Sequence, residues 1–363
     1  MSTLTPPTPD AVTPAPVTLR GPVRVLLRVH RRPLQIVGAA AALGMLWMVG
    51  LSLWSDRSSA DFAASGCSVE HTVPSCGTTV RDFLDGQMLL NDTQNQAALL
   101  LMVLPALVGA FMAGPVIARE LESGTFRLSW SQSVSPARWL AAKLVAPAVL
   151  TVAVTSALAA VFAWFWSRDD DSFYARAWYE EFVYRSLGTV PVAHALLGLA
   201  IGTLAGLLVR RTVAAMATTV VASGLLLAAF DTVRFSLWPI RTDVAAIRSG
   251  YGVPTDSWSG AQGYVTTTGE RLPAEVCQEP TGDILECLAT HGSSERYYDY
   301  HPASHFWPLQ LVETGILLAL AALAVGGGRP GGGAAGRRAR PPPTPPRRRA
   351  PPRGGAGRGR GGP

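Results

Sequence analysis

Six apolar stretches run along the chain, and each is long enough to cross a bilayer as a helix. A membrane helix needs roughly 20 mostly apolar residues, because it rises 1.5 Å per residue through a hydrocarbon core of about 30 Å. The first stretch is too long and begins too far into the chain for a cleaved signal peptide. We therefore predict an all-α polytopic membrane protein with six transmembrane helices. The stretches are about 33–54, 96–117, 140–166, 188–209, 212–232 and 307–326.

The basic residues between these stretches indicate the orientation. With the N-terminus placed inside, 21 basic and three acidic residues lie on the inner side, whereas the outer loops hold ten basic and 21 acidic residues. Inner loops of membrane proteins carry an excess of Lys and Arg. We therefore predict a multi-pass protein of the cell membrane with both termini in the cytoplasm. Several tryptophans then fall at outer ends, as expected of an aromatic belt: Trp54, Trp164, Trp166, Trp238 and Trp307.

The composition agrees with a membrane protein and argues against an enzyme. Of the 363 residues, 48% are hydrophobic and 15% are charged, which is unlike a soluble enzyme. Lys143 is the only lysine and follows Trp-Leu-Ala-Ala, so the chain has no G-x-x-x-x-G-K-[ST] phosphate loop. It also lacks H-E-x-x-H and G-x-S-x-G, the motifs of two hydrolase classes. We predict no catalytic residue, cofactor or metal in this chain.

Both ends of the chain are of low complexity. Residues 327–363 hold ten Arg and no acidic residue, so the net charge of +6 comes from this tail. We predict disordered tails at 1–19 and 327–363, because neither can bury a core. The C-terminal tail is suited to contact anionic lipid; RNA binding is a weaker alternative because no aromatic residues interleave the Arg residues. We predict no nucleic-acid partner.

Residues 21–32 precede the first span and carry Arg on one face of a helix. Val23, Leu26, Leu27 and His30 would lie on the opposite face. This pattern predicts a basic amphipathic helix on the inner leaflet. A plain basic flank without helical structure is the alternative.

All four cysteines lie in predicted outer segments. Cys67 and Cys76 share the first outer loop, and Cys277 and Cys287 share the segment 233–306, which we predict to be an extracellular subdomain. The outer side permits disulfides, and members of each pair are ten residues or fewer apart. We favour the two local bonds; free thiols and a four-cysteine zinc site are the alternatives.

Several residues inside or beside the spans carry candidate roles. Glu313 lies about two turns into the last span, where a carboxylate marks either a functional contact or a solvated helix end. His194 is more typical of a packing residue than of a proton relay, and Asp231 is expected to pair with Arg234, three residues on. Pro105 predicts a kink. Three small residues form a helix-packing face that suits either the neighbouring hairpin or a subunit contact: Gly198, Gly202 and Gly206.

The second outer loop carries three aromatic residues at a spacing of four. Tyr174, Trp178 and Phe182 would share one helix face. This spacing predicts an aromatic helix on the outer leaflet, and a solvated loop is an equal alternative.

The sizeable inner loop joins spans two and three. Arg119, Glu120 and Glu122 continue the helix of span two, and Gly124 is suited to end it. Thr125 is suited to cap a second short helix.

That short helix would carry Phe126 and Trp130 four residues apart. Ser135-Pro136 then starts span three. An aromatic pair flanked by charges is a candidate surface for docking a protein.

The same loop resembles the first cytoplasmic loop of ABC-2 type transporter permeases, especially those of actinobacteria. The six spans, the amphipathic helix and the large last outer loop resemble that family over about 20–326, whereas the C-terminal tail does not. The motifs that carry the resemblance read Arg119-Glu120-Leu121-Glu122-Ser123-Gly124-Thr125, Trp130-Ser131-Gln132-Ser133-Val134 and Arg138-Trp139-Leu140-Ala141-Ala142-Lys143-Leu144.

This resemblance implies a permease domain over 20–326 that exports a substrate and works as a homodimer or with a related permease. A separate ABC ATPase would supply ATP and magnesium and would grip the inner loop. A non-transporting membrane sensor or assembly protein is the alternative. The implied coupling residues are Arg119, Glu120, Glu122, Gly124, Thr125, Phe126, Trp130, Gln132 and Arg138.

Overall fold

Long helices dominate the protein, and a computed structural model describes them in residues 31–125, 136–168, 176–277 and 283–327, with Gly362. Residues 1–30 and nearly all of the C-terminal tail lie outside this part, and so do most of the predicted amphipathic helix and the predicted helix around Phe126 and Trp130. The described helices are α1 (Arg31–Ala64), α2 (Gly77–Leu107), α3 (Gly114–Glu122), α4 (Pro136–Ser167), α5 (Glu181–Ser186), α6 (Val190–Val209), α7 (Thr212–Val233), α8 (Ile284–Thr290) and α9 (Phe306–Gly327).

Within the described residues, six helical segments are long and apolar enough to cross a membrane, as the hydropathy pattern predicts. Successive spans run in opposite directions, so their ends form two groups. We name the end beside the four-stranded sheet the sheet face. The opposite end, with residues 118–125 and 210–212, is the loop face. The segments are Gly38–Ala64, Pro74–Glu122, Arg138–Ser167, Val190–Val209, Thr212–Ser236 and Ala303–Gly327.

The first predicted outer loop is mostly helix, which corrects the span boundaries. Helix α1 continues to Ala64, and α2 already begins at Gly77. The stacked rings of Phe62 and Phe83, 4.1 Å apart, hold the two extensions together. Hydropathy marks where a helix leaves hydrocarbon, but hydrogen bonds and packing decide where the helix ends.

Both local disulfides are present. Cys67 bonds to Cys76 with a Cα–Cα distance of 5.7 Å, and Cys277 bonds to Cys287 with 5.9 Å. The free-thiol and four-cysteine zinc alternatives are therefore wrong. His291 lies close to the second pair, but a disulfide leaves no thiolate to bind a metal.

Helix α6 packs along the second span through its glycine face. A Cβ atom added to Gly202 would lie 2.2 Å from the carbonyl oxygen of Gly109, and one added to Gly198 would lie 2.1 Å from that of Pro105. A Cβ atom added to Gly206 would lie 3.0 Å from the carbonyl oxygen of Gly114. The glycine face therefore serves contact with the second span, rather than the hairpin with α7 or a subunit contact.

The irregularity expected at Pro105 is a π-helical turn a few residues later. The turn covers Val108–Ala113, between α2 and α3, and Gly114 N–H donates to Gly109 O, five residues back. Proline lacks an N–H and disturbs helical hydrogen bonding, and π turns insert one extra residue into a helix.

The segment between α7 and α9 is a sheet, so the predicted all-α class is wrong there. Its antiparallel strands are β1 (Arg241–Ala246), β2 (Trp258–Thr266), β3 (Arg271–Pro273) and β4 (Ser293–His301), in the order β1-β4-β2-β3. The bond between Cys277 and Cys287 ties α8 to the turn after β3.

The described part of the second predicted outer loop, residues 176–187, folds into the protein instead of lying on its surface. Trp178 is buried, and its Nε1 donates to the carbonyl oxygen of Asp256 at 2.8 Å. Helix α5 buries Val183 and Tyr184 among the spans. The aromatic-helix interpretation is therefore wrong for Trp178, because its ring packs on Trp258 and Phe306; Tyr174 lies outside the described residues.

Candidate functional site

The loop face begins where α3 ends. Helix α3 stops at Glu122, and Gly124 follows with a φ of +73°. This left-handed conformation suits glycine, which has no Cβ to clash with the backbone. Gly124 thus ends the helix as the sequence predicts.

Glu120 links this turn to α4. Its carboxylate accepts hydrogen bonds from Lys143 Nζ and, at 3.2 Å, from Trp139 Nε1. Charge-assisted hydrogen bonds of this kind are stronger than neutral ones. Beneath them Ile117, Trp139 and Leu140 form a small buried apolar cluster, so α3 and α4 are joined by both polar and apolar contacts.

Glu122 links the same turn to α7. Its Oε2 accepts from Thr212 N at 3.2 Å and from Thr212 Oγ1 at 2.9 Å. Thr212 is the first residue of α7, and a carboxylate stabilises a helix N-terminus by accepting from its free N–H groups. One short segment, 118–125, therefore contacts the ends of α4 and α7 and continues the second span.

The other predicted residues of this loop fall into two groups, those that the structure describes and those that it does not. Arg119, Thr125 and Arg138 are exposed at the loop face. Phe126, Trp130 and Gln132 lie outside the described residues, so their docking role stays a prediction.

A buried ionic cluster lies toward the sheet face, and Glu313 is at its centre. Glu313 is fully buried, and Arg234 reaches both of its oxygens, at 3.0 Å from Nε and 3.3 Å from Nη2. His194 Nε2 lies 3.4 Å from Glu313 Oε1. Glu313 is therefore a contact between α6, α9 and the end of α7, not a solvated helix end.

Arg185 extends the cluster to α5. It pairs with Asp231, and it donates to the carbonyl oxygen of Leu227 at 2.9 Å. Asp231 also accepts from Arg234 at 3.2 Å, as its spacing predicts. The buried arginines pair with the buried Glu313 and the exposed Asp231, in agreement with the rule that buried charges occur in pairs.

The sequence pattern did not identify Arg185 as a candidate residue. It lies in a segment predicted to rest on the surface, and only its position between apolar residues, Val183 and Leu187 among them, hinted at burial. The cluster joins four helical elements through ion pairs and hydrogen bonds.

An apolar cavity of about 720 Å³ lies between α4, α6 and α9. Small side chains of α4 form one wall, among them Ala159, Ala160 and Ala163. Trp166 and Trp307 lie toward its sheet-face end. Its size is typical of small-molecule pockets, but its lining provides no charged group.

Residues 37–234 match the family model described as ABC-2 membrane transporter related. The match covers more than half of the chain, including most of α1, all of α2 to α7 and the segment 118–125, and it ends before the sheet. Neither a curated protein nor a solved structure matches the chain significantly.

Proposed function

We propose that this chain, which belongs to the ABC-2 membrane transporter related family, is the permease subunit of an ABC exporter driven by a separate ATPase. The family match supports a membrane permease subunit, and the six apolar helices agree with a multi-pass membrane protein. The contact pattern of segment 118–125 is the observation that carries the coupling proposal.

The ATPase docks at the loop face and moves segment 118–125. Movement of this segment reaches the second span directly through α3. It reaches α4 through Glu120 with Lys143 and Trp139, and it reaches α7 through Glu122 with Thr212. A single displacement therefore acts on three spans at once.

The loop face lies in the cytoplasm. It carries Arg119, Arg138, Lys143, Arg210 and Arg211, and this excess of basic residues is typical of inner loops. The sheet face, with both disulfides, then lies outside, where disulfides persist. ATP and magnesium belong to the partner ATPase, and two permease chains form the transport unit.

Glu122→Arg tests the coupling step. The substitution removes the hydrogen bonds to Thr212 and places a cation at the N-terminus of α7, where the helix dipole disfavours it. The full chain is reconstituted in vesicles with the ABC ATPase that co-purifies with it, and ATP hydrolysis is measured with and without the permease. We expect the stimulation of ATP hydrolysis by the permease to fall about tenfold. A loss of ~1.4 kcal/mol in the coupling free energy corresponds to that factor.

Glu270→Arg is the matched control, since Glu270 is exposed at the sheet face, far from the docking surface. We expect this variant to keep full stimulation. Equal stimulation of wild type and Glu122→Arg would contradict the coupling role. Failure of any ABC ATPase to bind the wild-type chain would instead favour the sensor or assembly alternative.

A further inference from the structure

Strand β1 forms an open edge of the sheet. It pairs with β4 on one side only, and its other backbone edge has no hydrogen-bond partner among the described residues. The opposite edge, β3, has only three residues and ends in Pro273, which lacks an N–H. Open edges of several residues readily pair with another strand, so β1 is the edge suited to receive one.

We propose that β1 pairs antiparallel with β1 of a second copy of this chain, so that two four-stranded sheets join edge to edge. The inference rests on the proposed function, in which two permease chains form the transport unit. A two-fold axis relates equal copies through the same patch of surface. Antiparallel strands satisfy this symmetry when the axis is perpendicular to the sheet.

Symmetry and charge then select the register. Around such an axis, side chains that lie opposite each other point to the same face of the sheet. A pairing centred on Arg241 or Asp243 would place like charges directly opposite, which is destabilising. A pairing centred on Thr242 places Arg241 opposite the second copy's Asp243, and the contact occurs twice.

The same register also covers exposed apolar side chains. Ile240 directly precedes β1 and is 43% exposed, and Val244 within β1 is 50% exposed. With Thr242 at the centre, Ile240 lies opposite the second copy's Val244. Opposite charges thus meet on one face of the joined sheet and apolar residues meet on the other.

Cysteine cross-linking tests this arrangement in the full chain. All four native cysteines are in disulfides, so a single introduced thiol is the only one free. Opposite residues of antiparallel strands have Cα atoms about 4.5–5.5 Å apart, within the range of a disulfide. We expect Thr242→Cys to form a covalent dimer with a mild oxidant in membranes, seen on a non-reducing gel.

Ile240→Cys and Val244→Cys are the matched variants. Each thiol would lie about 14 Å from its own counterpart, because four residues of a strand separate them. We expect neither variant to cross-link alone, and we expect the two to cross-link when they are co-expressed. Self-cross-linking of Ile240→Cys would overturn the register centred on Thr242.

The outcome can be separated from that of the proposed function. If Thr242→Cys and the co-expressed pair both stay monomeric on the gel, edge pairing is overturned, even where the purified protein has the mass of a dimer. Stimulation of the partner ATPase, measured on the same preparations, tests the proposed function independently.

Discussion

Glu313 shows how a single buried carboxylate organises the sheet-face half of the protein. It contacts His194 and Arg234, which are 119 and 79 residues away along the chain. The sequence identified each of these residues as a polar position near a span, but not their contact, since no local spacing relates them. Arg185 was missed because its segment was predicted to lie on the surface.

Replacing Glu313 with Leu is expected to lower the thermal unfolding midpoint strongly in detergent. The change leaves the Arg234 guanidinium buried without its main partner, and breaking a buried ion pair costs about 3–5 kcal/mol. The double variant Glu313→Leu/Arg234→Leu is expected to recover part of this loss, because both charges are then absent. A double variant no more stable than the single one would contradict the assignment.

Asp243 provides a prediction about pH. Hydrogen bonds from the hydroxyls of Tyr251 and Tyr300, with help from Arg241, hold the pKa of Asp243 below its usual range. A pKa lowered by folding stabilises the folded state above the unfolded pKa, and this stabilisation is lost as the pH falls through the folded pKa.

Wild type is therefore expected to have a higher unfolding midpoint than Tyr251→Phe at neutral pH, and this advantage should shrink below about pH 4. Thermal unfolding from pH 7 to pH 3 measures both proteins. A difference that stays constant over this range would show that the hydrogen bond to Asp243 is not its source.

At the scale of elements, the sequence predicted the existence of spans better than their ends or partners. The six apolar stretches all became helices, because apolar length alone determines what can cross a bilayer. Hydropathy did not predict the extensions of α1 and α2, because these helix ends are polar. The disulfide between Cys67 and Cys76 and the stacked rings of Phe62 and Phe83 stabilise them. The sequence did not predict the sheet, because its short strands mix Tyr, Arg and Gly and do not alternate regularly between apolar and polar residues.

The glycine contact between α6 and the second span predicts a size limit. Gly202→Ala would force a Cβ to within 2.2 Å of Gly109 O, and overpacking of this kind costs about 1–3 kcal/mol. Gly224→Ala, on α7, meets nothing within 4 Å and should stabilise its helix slightly, by up to ~1 kcal/mol. Unfolding midpoints of the two variants in detergent should move in opposite directions. Equal effects would argue against close packing at Gly202.

At the scale of the whole molecule, the Arg distribution predicts the orientation, which the spans alone do not determine. The structure shows which residues share an end of the bundle: Glu120 and Glu122 lie with Lys143 and Thr212, opposite the sheet. The sequence predicted these two carboxylates as functional but not their anchoring contacts, because Glu122 and Thr212 are 90 residues apart.

Thiol labelling in intact cells measures this orientation. Ser123→Cys, exposed at the loop face, is expected to react with a membrane-impermeant maleimide only after the cells are opened. Glu270→Cys, exposed on the sheet, is expected to react in intact cells. The reverse pattern would place the loop face outside, and the ATPase would then have no access to segment 118–125.

The π-helical turn at Val108–Ala113 determines in which direction the later side chains of the second span point around the helix axis. One additional residue rotates the remainder of a helix by about 100° around its axis. Without that rotation, Glu120 and Glu122 would be directed away from Lys143 and Thr212. The direction in which both carboxylates point thus depends on a turn about a dozen residues earlier in the chain. The same turn brings Gly109 against Gly198.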